Sequence, residues 1–244
     1  MSGSFFAAPT ALAVVSLALV CCGCESTQEK SAALGKAAKH ERLALEGVSV
    51  SRESPSVRVL STAVVHSSEA TAVTVTLLNT SSKVLENAPI EITVRDAKGA
   101  VLFRNDQPGE APSLAKVSLL GVDAQTMWID DQVQVSGVPA SASALVGEAT
   151  PASGPIPQIG VSGVHAGGEA SAGAGAAGTV SNRSSVTQQS LVVNAIARRG
   201  AKIVAAGRAI LPEVASGASL PFQVYFVGNA SGAKIETSAP PTTF

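Results

Sequence analysis

Along Ile90-Glu91-Ile92-Thr93-Val94-Arg95 apolar and polar side chains alternate without a break. Ile90, Ile92 and Val94 therefore share one face of an extended strand. Asp96 and Gly99 are turn residues in the segment that follows, and Ala100-Val101-Leu102-Phe103 leads back, which predicts a hairpin. Val73, Val75 and Leu77 alternate with Thr74 and Thr76, and Phe222, Val224 and Phe226 with Gln223 and Tyr225. Val, Ala, Ser, Thr and Gly dominate the chain, and helical periodicity is confined to one short stretch. Short alternating strands with frequent turns predict an all-β protein built as a sandwich.

The pattern occurs twice. With Asn79 placed over Asn182, "VTLLNTSS" lies over "GTVSNRSS". Downstream, Ile90 to Leu102 lies over Val193 to Val204, and "TMWIDDQV" answers "SLPFQVYF". Upstream, His66 lies over His165 with a few residues of slippage. Units of about 90 to 100 residues are large enough for a core each, so two tandem immunoglobulin-like sandwich domains are expected, at 45–149 and 159–244. The Pro-rich segment 150–158 between them reads as a semi-rigid linker that keeps the domains apart or in few poses.

Composition narrows the class. Of 244 residues 45% are hydrophobic, enough for a core, yet aromatics are 3%, with one Trp and one Tyr. The net charge of −1 leaves no basic surplus for nucleic acid. All three cysteines fall together at Cys21, Cys22 and Cys24, which excludes a disulfide framework or a cysteine-based zinc site in the rest of the chain. The uncharged run Phe5 to Val20 precedes them; it is short for a membrane span and suits a signal h-region.

An apolar run ending at small residues and a cysteine, then the polar "ESTQEKSAALGK", resembles a bacterial lipoprotein signal. That resemblance implies a signal peptide at 1–23, removal of it before a lipid-bearing Cys24, and a tether at 24–44. Gly23 before Cys24 favours that site, and Cys22 is the alternative; no Lys or Arg precedes Lys30. An uncleaved membrane anchor and a plain secreted protein are the competing outcomes. The tether is Ala- and Lys-rich, weakly helical, and reads as a solvated spacer off a bilayer.

The "N-x-S-S" segment, the "D-x-K-G" hairpin and the late strand are similar to FxLYD-type domains of bacterial envelope proteins. Asn79, Asp96 and Gly99 carry the likeness in the first unit, and Asn182, Gly200, Gly217 and Phe222 in the second, over 57–149 and 159–239. The resemblance implies an immunoglobulin-like sandwich on the outer side of a membrane and no catalytic chemistry.

Candidate chemistry is sparse. His66 with Glu69, and His165 with Glu169, offer two ligands per unit at different spacings, fewer than a metal needs, so no metal or other cofactor is expected. Gly173 to Gly178 matches G-x-G-x-x-G but lacks the strand, helix and acid of a dinucleotide site, so it reads as a flexible loop. Asp130 and Asp131 are adjacent and on a regular strand would face opposite ways, which excludes an acid/base pair. Asn79, Asn182 and Asn229 read as turn residues, and Trp128 as a core or inter-sheet residue. No catalytic residue is assigned and no enzyme is expected.

Charge divides unevenly. Residues 45–149 hold 12 acidic and 7 basic side chains, and residues 156–244 hold 3 and 6. This predicts attraction between the two domains, or head-to-tail association of molecules. The expected function is a non-enzymatic, lipid-anchored binding or spacer module on the extracytoplasmic face of the cell membrane, with a protein partner in the envelope. A small-ligand or glycan-binding module is the alternative. The strand Val57 to Val65 is a candidate edge for partner pairing.

Overall fold

The computed structural model describes residues 47–167 and 175–244, which belong to one compact unit, Lys39–Phe244. Cys22, Cys24, the signal, the tether and Glu169 lie outside the described residues, and 45–46 with them. No helix among the described residues is long and apolar enough to cross a membrane.

The protein is an all-β sandwich of antiparallel sheets. In the first half, β1 (Val57–His66), β2 (Thr71–Asn79) and β6 (Gln125–Val133) form a three-stranded sheet in the order β1-β2-β6. The facing sheet centres on β3 (Leu85–Arg95). It pairs with β4 (Val101–Arg104) and β5 (Lys116–Leu120), and also with β7 (Ser141–Val146) and β8 (Thr150–Pro151). The short helix α1 (Pro112–Ala115) lies between β4 and β5.

The second half repeats this order. Strands β9 (Ile159–Gly167), β10 (Gly175–Asn182) and β13 (Ser219–Tyr225) form one sheet. Strands β11 (Gln188–Arg199), β12 (Lys202–Val214), β14 (Val227–Gly228) and β15 (Lys234–Ser238) form the other. The alternation read from Ile90, Ile92 and Val94 is the inward face of β3, and all three are fully buried with Val73, Val75 and Leu77 of the facing sheet. Val193, Ala195, Phe222 and Val224 build the corresponding core of the second half.

Why the repeat was legible is clear at the two asparagines. Asn79 and Asn182 are buried at the ends of β2 and β10. Asn79 Nδ2 donates to the carbonyls of Lys83 (2.7 Å) and Leu120 (3.0 Å), and its Oδ1 accepts from Ser81 N (2.9 Å) and Oγ (2.8 Å). Asn182 does the same with Val186 (2.8 Å), Val214 (3.0 Å), and Ser184 N (3.1 Å) and Oγ (2.7 Å). A turn residue in sequence is thus a buried clamp between two sheets in space. Only an amide, with donors and an acceptor on one planar group, fills this role.

The halves differ in one strand. In the second half, β12 runs unbroken alongside β11. In the first, the corresponding strand is split into β4 and β5 by an excursion at 105–115. Asn105 repairs the gap: Oδ1 accepts from Ile92 N (2.7 Å), and Nδ2 donates to Ile90 O (3.0 Å) and Leu114 O (2.9 Å). Its side-chain amide stands in for the missing backbone, as burial of those groups demands.

Register also decides several expectations. Gly175 to Gly178 are not a loop; they lie in β10, all paired with β13, and Gly175 to Ala177 are paired with β9 as well. Small residues are needed there because a Cβ at Gly178 would sit 2.9 Å from the Phe222 ring, and one at Gly175 would strike the Val224 carbonyl. Val57 pairs with Asn79 and Ile159 with Asn182, so His165 overlies Ala63 rather than His66, and the two histidines are not equivalent positions. Strand β1 is a sheet edge, but it borders β7, and Thr62 Oγ1 donates to the Ala142 carbonyl (2.6 Å). The first half's pairing runs through Pro151, and the halves touch directly: Val65, Ala72 and Ile129 pack with Ile196, Ala206 and Val227 in a third core.

Replacing Asn79 or Asn182 by Ala leaves several buried backbone groups unpaired. Each change should lower unfolding free energy by about 2–4 kcal/mol, measured by urea denaturation, while Asn229→Ala should cost under about 1 kcal/mol.

Candidate functional site

Where the halves meet, the structure forms a cleft of about 420 Å³. Its walls come from β3, β5, the 111–113 segment and β6 on one side, and from β11, β12 and the chain's last residues on the other. The volume falls in the range of small-molecule sites.

Two strained residues line it. Asn87 (φ 55) and Ser190 (φ 50) are non-glycine residues in the left-handed region, inside β3 and β11. The alignment that superposes Asn79 on Asn182 also superposes Asn87 on Ser190. The same kink, costing on the order of 1–3 kcal/mol, is therefore built twice and both copies face one cleft. Asn87 Oδ1 accepts from Lys116 Nζ (2.8 Å). The second half's wall is closed by the chain end. The buried Gln188 accepts from Thr242 N (2.9 Å) and Thr243 N (3.2 Å) and donates to Thr243 O (3.0 Å), and Thr242 Oγ1 donates to Gln189 O (2.7 Å).

Trp128 belongs to the first core, as expected, and also lines the cleft. It is 5% exposed, and its Nε1 donates to Ser113 O (3.2 Å). Ser113 is in turn bound from the other half, where Arg208 Nη1 donates to its Oγ (3.2 Å). Arg208, with its side chain 3% exposed, donates from Nε to Asp131 Oδ1 (3.0 Å) and from its backbone N to Asp131 Oδ2 (2.9 Å). One guanidinium thus joins strand β12 to strand β6 and to the segment that walls the cleft.

Asp130 and Asp131 have different surroundings: Asp130 is fully buried, whereas Asp131 meets Arg208 of the other half. Thr71 pairs with Val133 and Val73 with Asp130, so β6 carries an extra residue at this point. The bulge lies between Asp130 and the buried Val133. Asp130 is fully buried, and the charges of Arg208, Glu110 and Asp131 all act on it. Its Oδ1 accepts from Gln132 N (2.9 Å), and its Oδ2 has no partner. Burial pushes its carboxyl up to about 6, against the Gln132 hydrogen bond and the Arg208 charge, with Glu110 and Asp131 adding to the rise. Burial raises Glu110 as well, and Arg208 opposes it.

Asn194 carries another unsatisfied atom. It is 4% exposed, it lines the cleft, and its Oδ1 has no hydrogen-bond partner. His66 and His165 are far from this arrangement in the topology, at the outer strands β1 and β9. Both are exposed, with Nδ1 bonded to Thr71 Oγ1 (2.7 Å) and to Gly163 O (2.8 Å) respectively. Among the described residues no group of three or more His, Cys, Asp or Glu is placed to hold a metal. The cleft walls carry hydroxyls and amides but, among the described residues, neither a His nor a carboxylate.

Sequence reasoning singled out Trp128 but missed Asn87, Ser190, Asn194 and Arg208. For Asn87 and Ser190 a signal existed: both interrupt a strand pattern at the same place in the repeat. Arg208 and Asn194 carried none. No known protein family matches the chain, and no curated protein matches it in sequence.

Asp130 sets a pH dependence of stability. Between about pH 4 and 6 the folded state keeps a proton that the unfolded chain has released, so stability falls as pH rises through that window. The contribution is at most about 3 kcal/mol. The urea midpoint should be higher at pH 5 than at pH 7.5, and Asp130→Asn, which removes the buried charge, should raise the pH 7.5 midpoint and flatten the difference. Equal midpoints at both pH values in the native protein would rule this out.

Proposed function

We propose that this chain is a non-enzymatic binding module carried outside the cytoplasm on a lipid-bearing Cys24, with the inter-half cleft as its binding site. The observation that carries the reading is the cleft itself. Two strained positions, the single tryptophan and an unsatisfied buried amide converge on one concavity of ligand size. Natural chains keep such local costs where binding rewards them.

The location rests on the run Phe5 to Val20 ahead of the cysteines, and on the likeness of Asn79, Asp96, Gly99 and their counterparts to FxLYD-type envelope domains. The opposite net charges of the halves favour their contact within one molecule over head-to-tail association, because Arg208 already holds Asp131 in the chain.

Two measurements test the two parts. The mass of the N-terminal tryptic peptide ending at Lys30, taken from membranes, should correspond to a chain starting at Cys24 with added diacylglycerol. A start at Cys22 moves the lipid, and an unlipidated or uncleaved peptide removes the anchor from the proposal. For the cleft, a fragment library should yield compounds that change Trp128 emission in the native protein. Ile210→Arg should abolish those responses without lowering the melting temperature, since Ile210 is exposed at the cleft mouth. Responses that survive in the variant would place the site elsewhere.

A further inference from the structure

We propose that the cleft reads a carboxamide edge, an N–H donor and a C=O acceptor held side by side as in a primary amide or a lactam, through Asn194 and Ser238. The proposal rests on the cleft being the binding site.

Two unpaired atoms carry it. Among the described residues four buried side-chain oxygens lack a hydrogen-bond partner, and two of them, Asn194 Oδ1 and Ser238 Oγ, belong to neighbours. Asn194 and Ser238 lie directly opposite one another in the β11–β15 ladder. Opposite residues of an antiparallel pair send their side chains to the same face, with Cβ atoms about 5 Å apart. The two oxygens nevertheless make no bond to each other. On the other side of Asn194 the β11–β12 ladder places Arg208, whose guanidinium is taken by Asp131 and Ser113. Neither neighbour in this row satisfies Asn194 Oδ1.

The face on which the pair stands is turned to the other half. Val193 and Ala195 enter the core of the second half, so Val192, Asn194 and Ile196 form the opposite face of β11. Ile196 meets the first half in the third core, while Val192 and Asn194 line the cleft. Ser238 lines an adjoining concavity that shares Met127 and Pro240 with the cleft. The pair therefore stands where the two concavities join.

The two atoms have complementary chemistry. An amide oxygen can only accept, whereas a hydroxyl can donate. Leaving both buried and unpaired is costly, and a ligand group that donates to Asn194 Oδ1 and accepts from Ser238 Oγ recovers both losses. A primary amide or a lactam carries its N–H and C=O on one edge, and an open-chain secondary amide, being trans, carries them on opposite edges. A carboxylate or an ester brings no donor. Met127, Pro240, Val192 and Ile210 are apolar wall near the pair, which suits an aryl or short alkyl body behind the amide.

Trp128 is the only tryptophan of the chain and lines the cleft, so its emission reports on binding there. The probes are benzamide, N-methylbenzamide, whose N–H points away from its C=O, and N,N-dimethylbenzamide, which has no N–H. Benzamide should change Trp128 emission saturably and bind at least about tenfold more tightly than either analogue. Asn194→Leu, close in size but without the acceptor, should erase that preference. Ser238→Ala should keep the preference and weaken benzamide by about threefold or more. A preference that survives in Asn194→Leu, or benzamide affinity unchanged in Ser238→Ala, would overturn the assignment of these residues. The three-probe comparison on the native protein stands even if a variant fails to fold. Equal affinity for the three probes, the result expected if solvent alone satisfies the two atoms, would overturn the carboxamide class and leave the cleft as a binding site. No response to any of the three, with fragment-library responses still abolished by Ile210→Arg, would also overturn the class alone. No response to probes and library together would overturn both.

Discussion

The buried guanidinium of Arg208 is the contact on which the arrangement of the two halves depends. It is almost without solvent, so its charge must be answered locally, and Asp131 answers it with both carboxylate oxygens, one taking Nε and the other the backbone amide. The guanidinium Nη1 reaches the Ser113 hydroxyl, and the Ser113 carbonyl holds the Trp128 indole. A charge pair that cannot be separated without exposing or orphaning an ion therefore sets the distance between β12 and β6, and with it the width of the cleft. The apolar cluster of Val65, Ile129, Ile196 and Val227 adds area to the same junction but little direction. Direction comes from the ion pair.

The acid next to that pair has the opposite character. Asp130 is buried with half its carboxylate unsatisfied, and neighbouring Glu110 and Asp131 make its charge less welcome still. The junction thus holds one acid that is satisfied by Arg208 and one that is not.

Duplication explains much of the rest, and departures from it mark the cleft. The Asn79 and Asn182 clamps use the same atoms toward equivalent partners, and Asn87 and Ser190 share the same left-handed backbone. The first half alone interrupts the strand beside β3, and the segment released by that interruption carries Pro112 and Ser113 to the cleft wall. Asn105 makes the interruption tolerable by pairing the backbone it leaves behind. One half keeps the regular strand, the other gives up regularity to build a wall.

By itself the sequence determined the all-β class, the two-fold repetition and the inward faces of the central strands. These follow from local alternation and from turn residues whose backbone preferences act over a few positions, as with Ile90, Ile92 and Val94 or Asp96 and Gly99. It also marked Asn79 and Asn182 as equivalent, though not as buried clamps, since their partners Leu120 and Val214 lie a strand away. The tertiary structure alone decided that Gly175 to Gly178 form a paired strand, that His66 and His165 occupy different rungs, and that Asp130 is buried beside an ion pair it does not share. It alone brought Arg208 to Asp131 and gathered Asn87, Ser190, Asn194 and Trp128 around one cleft. Periodicity records which face of a strand is apolar. It carries no information on which strand of the other half that face will meet, because contacts between distant segments are set by packing and register, not by local pattern.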